Sequence, residues 1–309
     1  MRTIQLDFSD FWEGFDKENN FFTNLLRQSF EIKISDTPDF LIYSTPGSKH
    51  KAYSCTKIFY TGESEIPDYS ECDYSISFEI TENERNIRFP LYVLYGEIEQ
   101  LLAAKKPYDE IQNQHTKFCN MVVSNGNATK RIEFFHELSK YKKVDSGGKF
   151  LNNIGGPVAN KMEFISKYKF SISFENTSHQ GYTTEKIIEP MYAGSMPVYW
   201  GNPEIAMDFN TQSFLNWHEF GSDKALIDRI IELDQNESLY EEVYNQPYLL
   251  QNKLTPYSDK ARLLKFLEAI FNSPIQNKRF YYGRNLTSRI REARMTLSKI
   301  KNRFTGRSQ

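Results

Sequence analysis

Apolar and polar positions along the chain change period many times, and the changes come in two sets. In the first third, TIQLDF (3–8), FEIKIS (30–35), DFLIYS (39–44), KIFYTGE (57–63) and YSISFE (74–79) alternate or run apolar in the manner of strands. FFTNLLRQSF (21–30) and FPLYVLYGEIEQLLAA (89–104) carry the helical spacing. The stretch KKPYDEIQNQHTK (105–117) is polar, lacks a clear period and is the candidate linker. A second set then begins. KFCNMVVSN (117–125), KYKFSISFE (167–175) and SMPVYWG (195–201) read as strands. TKRIEFFHELSKY (129–141), TTEKIIEPMYAG (183–194), KALIDRIIELD (224–234) and LLKFLEAIFN (263–272) read as helices. Strands alternating with helices predict βαβ units and largely parallel sheets. The expectation is an α/β protein of two Rossmann-like domains facing a cleft, divided as 1–116, 117–275 and a tail at 276–309. In open sheets of this kind, ligands bind beyond the carboxyl ends of the strands, where helix N-termini point.

Composition narrows the function classes. The 309 residues are 39% hydrophobic and 25% charged, as expected of a packed soluble chain. No Gly-x-Gly-x-x-Gly and no Walker loop occurs, so the usual dinucleotide and P-loop signatures are missing. The five histidines are scattered, and no His/Cys/Asp cluster has metal-ligand spacing. Three cysteines, Cys55, Cys72 and Cys119, are an odd number without CxxC spacing, which argues against a disulfide framework and fits a reducing compartment. The N-terminus lacks a basic segment followed by a long apolar core, and no run of about 18 apolar residues exists to span a bilayer. A cytoplasmic location is therefore expected. Without a secretory signal, the N-x-Ser/Thr triplets at Asn127, Asn176, Asn236 and Asn285 read as chance matches.

The net charge of −2 conceals an asymmetry. Residues 278–309 hold ten Lys and Arg and one acid, Glu292, whereas the rest of the chain has 28 basic against 39 acidic residues. Within the tail, Leu286, Ile290, Ala293, Leu297, Ile300 and Phe304 form a heptad-like stripe. Three readings stay open: a basic amphipathic helix on an anionic membrane surface, here the inner face of the cytoplasmic membrane; a short coiled coil that would make a homodimer; or packing on the acidic body. No motif accompanies the charge to suggest nucleic acid.

The densest chemistry lies in FENTSHQGYTTEKIIEPMYAGSMPVYWGNP (174–203). A strand ends near Glu175-Asn176, a polar turn follows, and a Thr at 183 or 184 can cap a helix whose first turn holds Glu185 and Lys186. Helix N-termini favour anions. Glu185 suits that position by itself; Lys186 does so when a negative ligand compensates, which makes it a plausible phosphate contact. Glu185 could accept hydrogen bonds from ribose hydroxyls.

This stretch strongly resembles the signature of the α1,3-fucosyltransferase family. KIFYTGE (57–63), CDYSISFE (72–79), RNIRFPLYV (85–93), VVSNGNATKR (122–131) and EFISKYKF (163–170) fall in the family's order. The pattern is most similar to the bacterial branch. The resemblance implies a GT-B fold, with an N-terminal domain facing the acceptor and a C-terminal domain holding GDP-fucose. It implies Glu63 as catalytic base and Arg131, after Ser124-Asn125-Gly126-Asn127, as a phosphate ligand. It further implies Glu185 on the ribose, Lys186 on the phosphate, and Ser124, Asn125, Asn176 and Tyr182 in the donor site. The partners implied are GDP-fucose and a glycan acceptor with an N-acetyllactosamine-like unit. No cofactor or metal would be required, a divalent ion being at most a stimulant. Alternatives are an α1,4 linkage, another GDP-sugar, or a non-catalytic binding protein that kept the fold.

Overall fold

A computed structural model describes residues 1–103 and 105–273. The basic tail and its three readings lie outside the described residues.

The first sheet holds six strands: β1 (Arg2–Ser9), β2 (Phe30–Ile34), β3 (Phe40–Tyr43), β4 (Thr56–Tyr60), β5 (Tyr74–Ser77) and β6 (Asn86–Arg88). Their spatial order is β2-β1-β3-β4-β5-β6, and every pairing is parallel. The second sheet holds β7 (Lys117–Met121), β8 (Val144–Ser146), β9 (Tyr168–Phe174), β10 (Met196–Trp200) and β11 (Leu215–Asn216). Its order, β11-β10-β9-β7-β8, is again all parallel. Parallel strands covered on both faces read as continuous apolar runs, and β3, FLIY, is buried at every position. These are the two α/β sheets expected, consistent with GT-B.

The helices are α1 (Phe21–Leu26), α2 (Leu91–Tyr95), α3 (Tyr108–Ile111), α4 (Thr129–Ser139), α5 (Lys161–Ile165), α6 (Glu185–Ala193), α7 (Trp217–Phe220), α8 (Asp223–Gln235), α9 (Glu237–Tyr244) and α10 (Lys260–Asn272). Helix α6 joins the two halves: Ile187, Ile188 and Met191 bury themselves in the apolar cluster of the first sheet. Helix α10 also returns to the first sheet, where the Phe271 ring lies 4.4 Å from Phe40 and 5.7 Å from Phe30.

Both sheets reverse direction once. In the first, the chain moves outward from β1 to β2, then back across to β3; in the second, β7, β8 and β9 repeat this path. The carboxyl ends of β1 and β3, and those of β7 and β9, therefore frame the two switch-point crevices where doubly wound sheets bind ligands.

Some local expectations differ from the structure. The helical run 89–104 is broken: α2 stops at Gly96, and a 3-10 turn, Ile98–Leu102, follows. A Cβ at Gly96 would lie 2.5 Å from Ile188 Cδ1, so a glycine suits the point where the chain passes α6. The polar stretch 105–117 is packed rather than free. Tyr108 and Ile111 share one face of α3 and are buried against Tyr240 and Tyr244. Strands β6 and β8 have three residues each, too few for an alternation to register in sequence.

Candidate active site

The second sheet's crevice is built around a buried acid. Glu175 follows β9 directly and is fully buried. Its backbone N–H donates to the Trp200 carbonyl at 2.8 Å. Its carboxylate accepts from Thr184 N (2.8 Å), Thr184 Oγ1 (2.8 Å) and Lys186 Nζ (3.2 Å). Thr184 is the N-cap of α6, with Lys186 N donating to its hydroxyl at 3.4 Å. One acid thus fixes both the cap and the lysine of the first turn. Burial pushes the Glu175 carboxyl up, opposed by Lys186 and the Thr184 donors. Burial alone would lower the Lys186 pKa, but Glu175 and Glu185 together hold it above its ordinary value. Lys186 is a fixed cation at a helix N-terminus, with Glu185 Oε1 3.7 Å from its Nζ.

Arg131 reaches the same place from α4. Its Nε donates to the Phe174 carbonyl (3.0 Å) and its Nη2 to Asn176 Oδ1 (2.8 Å). Burial lowers its pKa and Glu175 opposes the shift, which leaves an arginine charged at any working pH. Arg131, Asn176, Glu185 and Lys186 therefore gather beyond the carboxyl end of β9, the central strand of the sheet. Ser124 and Asn125 sit on the β7–α4 loop at the same switch point and are exposed. Asn125 Oδ1 accepts from Asn127 N at 2.8 Å, shaping that loop. Among the described residues, neither side chain is hydrogen-bonded to Arg131.

Tyr182 connects this cluster to the first sheet. Its ring is buried edge-on against Phe78, with centroids 4.8 Å apart at 84°. Burial first, then Glu175 and Glu63, push its pKa far up, so the phenol keeps its proton. That proton is donated to Glu63 Oε2 at 3.2 Å. Glu63 lies beyond the carboxyl end of β4. Thr61 Oγ1 accepts from Glu63 N and donates to Glu63 O, both at 2.9 Å, which folds the loop around Glu63, an exposed residue.

Several residues that hold the halves together escaped sequence reasoning. Arg88 of β6 makes a two-pronged, fully buried pair with Asp208, at 2.8 and 2.6 Å. Asp208 also accepts from Thr183 Oγ1 (2.9 Å) and Tyr92 OH (3.1 Å). Arg88 Nη2 donates to the Gly181 carbonyl (2.9 Å) as well. His179 Nε2 lies 2.6 Å from Glu79 Oε1 across the same junction. The partners are about a hundred residues apart, so no local spacing announces them. Glu175 had one available signal, an acid at the end of an apolar strand, but a polar residue there usually marks only where burial stops.

Tyr182 thus links a carboxylate of the first half to the half that carries Arg131 and Lys186. This suits transfer from a phosphate-bearing donor to a hydroxyl. Among the described residues, no three His, Cys, Asp or Glu side chains converge to hold a metal, and no helix is long and apolar enough to cross a membrane.

Comparison with known proteins identifies the lineage. The "Alpha-(1,3)-fucosyltransferase FucT N-terminal domain" profile matches residues 6–95, and "Glycosyltransferase family 10 (fucosyltransferase) C-term" matches residues 112–265. The Helicobacter pylori protein "Alpha-(1,3)-fucosyltransferase FucT" is 33% identical over 88% of this chain and 66% of its own length. The chain thus spans slightly under two thirds of that relative. A crystal structure of an α1,3-fucosyltransferase superposes with a TM-score of 0.77 at 28% identity, covering 90% of this chain and 93% of the other. One with GDP-fucose superposes with a TM-score of 0.76, also at 28% identity, covering 90% and 94%. Two adjoining profile matches, an identity spread over most of the chain and a shared two-sheet fold agree: the chain belongs to glycosyltransferase family 10, the fucosyltransferases.

Proposed function

We propose that the chain moves L-fucose from GDP-β-L-fucose to a hydroxyl of an N-acetyllactosamine-like acceptor, with inversion to an α1,3 linkage. The observation that carries the reading is the Tyr182–Glu63 hydrogen bond. It ties Glu63, a carboxylate suited to be a base, to Tyr182, three residues before Glu185 and four before Lys186 at the start of α6. An alcohol is a weak nucleophile. As its oxygen bonds to the fucose anomeric carbon, Glu63 takes the hydroxyl proton, an assistance worth roughly 10²–10⁴-fold. The bond from that carbon to the diphosphate oxygen breaks, and GDP leaves with the electron pair. Arg131 and Lys186 stabilise the charge that develops there. Attack opposite the leaving group inverts the anomeric centre. Glu185 accepts from the ribose hydroxyls in this reading.

The test is to incubate the purified protein with radiolabelled GDP-fucose and an acceptor array, with and without EDTA. Transfer to N-acetyllactosamine that survives EDTA is expected. If GDP-fucose is neither bound nor used, the donor reading fails, and another GDP-sugar or a binding role replaces it. An α1,4 product would correct the linkage alone.

A further inference from the structure

We infer that Trp12 is a stacking platform for a pyranose ring of the acceptor, at the switch-point crevice of the first sheet; this rests on the proposed transfer. The indole is 62% exposed, an unusual state for so large an apolar surface. It is nevertheless held firmly. Phe15 packs edge-on against it at 5.0 Å and 90°, and Phe11 does so at 5.7 Å and 68°. Phe11 stacks on Phe15 at 4.1 Å.

The loop beneath is clamped. Asp10, at φ +61°, accepts from Lys49 N (3.0 Å), His50 N (2.9 Å) and, through Oδ2, contacts His50 Nδ1 (2.8 Å). Gly47 passes so close that a Cβ there would lie 2.1 Å from Asp10 Oδ1. The loops after β1 and β3 are thereby fused at the place where this sheet order directs a ligand. They are tied to the proposed base on two sides. Thr45 Oγ1 donates to Glu65 Oε1 at 3.1 Å, two residues beyond Glu63. Phe11 stacks at 6.0 Å on Tyr60, three residues before it.

Strands β1 and β4 are separated only by β3, a span of about 10 Å at ordinary strand spacing. That matches the reach of a disaccharide. One sugar would present its hydroxyl to Glu63 while its neighbour lays its C–H face on the indole. A rigid exposed ring binds with little loss of side-chain freedom, as aromatic anchors do at other recognition sites.

The test compares Trp12→Ala and Trp12→Phe with the unaltered chain, using N-acetyllactosamine as acceptor. The acceptor KM should rise about 5- to 30-fold in Trp12→Ala and recover in part in Trp12→Phe. The Kd for GDP-fucose, read by calorimetry, should stay within twofold. An unchanged acceptor KM in Trp12→Ala overturns the platform. Equal rises in acceptor KM and donor Kd overturn it too, since they would mean a general disturbance. Failure of the unaltered chain to bind GDP-fucose is a different result and defeats the transfer reading instead.

Discussion

The Tyr182 hydroxyl of the second half donates to Glu63 Oε2 of the first half at 3.2 Å. Such O–H···O bonds normally measure 2.5–3.0 Å, so the tether orients the carboxylate without holding it tightly. An acceptor hydroxyl can compete for the same oxygen. If Glu63 takes the proton, Glu63→Gln should lower turnover by roughly 10²–10⁴-fold while GDP-fucose affinity stays near the original. Tyr182→Phe should lower turnover by about tenfold or less, because only the tether is lost. Single-turnover rates beside calorimetry separate the two. A Glu63→Gln protein that transfers at the unaltered rate would remove Glu63 from the mechanism.

Gly181 is fixed by both halves. It has φ +83°, and a Cβ there would lie 2.0 Å from the Phe78 carbonyl. Its own N–H donates to Asn202 Oδ1 (2.8 Å), and its carbonyl accepts from Arg88. Gly181→Ala is both strained and sterically blocked, since the obstacle is backbone. The expected cost is about 2–4 kcal/mol, with a matching loss of donor binding as Tyr182 moves. A denaturation midpoint within error of the original would show that the junction yields more easily than its geometry implies.

Much of this architecture was legible in the sequence because it is local. The run FSISF states a buried strand, Thr184-Glu185-Lys186 states a helix start, and the two α/β sets follow from the change of period. The grouping of Arg131, Asn176 and Lys186 at one place followed from motif resemblance, since Arg131 and Asn176 stand 45 residues apart. What stayed hidden is non-local. Arg88 reads as a surface arginine until Asp208 is found 120 residues later. Glu175 looks like the polar edge of a strand until Lys186 and Thr184 turn back onto it. Gly96 ends a helix that its neighbours would continue, at a point where Ile188 of α6 leaves no room for a Cβ.

The Arg88–Asp208 pair should be asymmetric in its energetics. Both side chains are essentially without solvent. Removing one leaves the other charge buried and unpaired, at a cost of roughly 3–5 kcal/mol. Asp208 would keep Thr183 and Tyr92 as donors, so Arg88→Met should fall at the lower end of that range. Replacing both with apolar residues of similar volume should restore a large part of the loss. Urea unfolding of the two single variants and the double variant measures this. Additive losses in the double variant would contradict the account.

Acid should loosen the first half's crevice through Glu71. Its Oε2 lies 3.2 Å from His50 Nε2 and its Oε1 2.8 Å from Lys51 Nζ. The hydrogen bond to His50 is the largest influence, and with Lys51 it outweighs burial, bringing the carboxyl down to about 2 from an ordinary 4.5. A depressed carboxyl stabilises the fold fully above its unfolded-state pKa, because the unfolded chain takes up the proton first as pH falls. The contribution is therefore complete above about pH 4.5 and disappears as pH falls toward 2. Glu71→Gln should lose on the order of 1–3 kcal/mol at neutral pH, discounted because the side chain is partly exposed. The gap between the variant and the unaltered chain should close through that acid range. Parallel melting curves from pH 6 to pH 2 read it directly. A gap that stays constant would mean that Glu71 acts by packing rather than by charge. A gap that closes would place the loss in the charged contacts of Glu71 with His50 and Lys51, and His50 also holds Asp10 in the loop carrying Trp12.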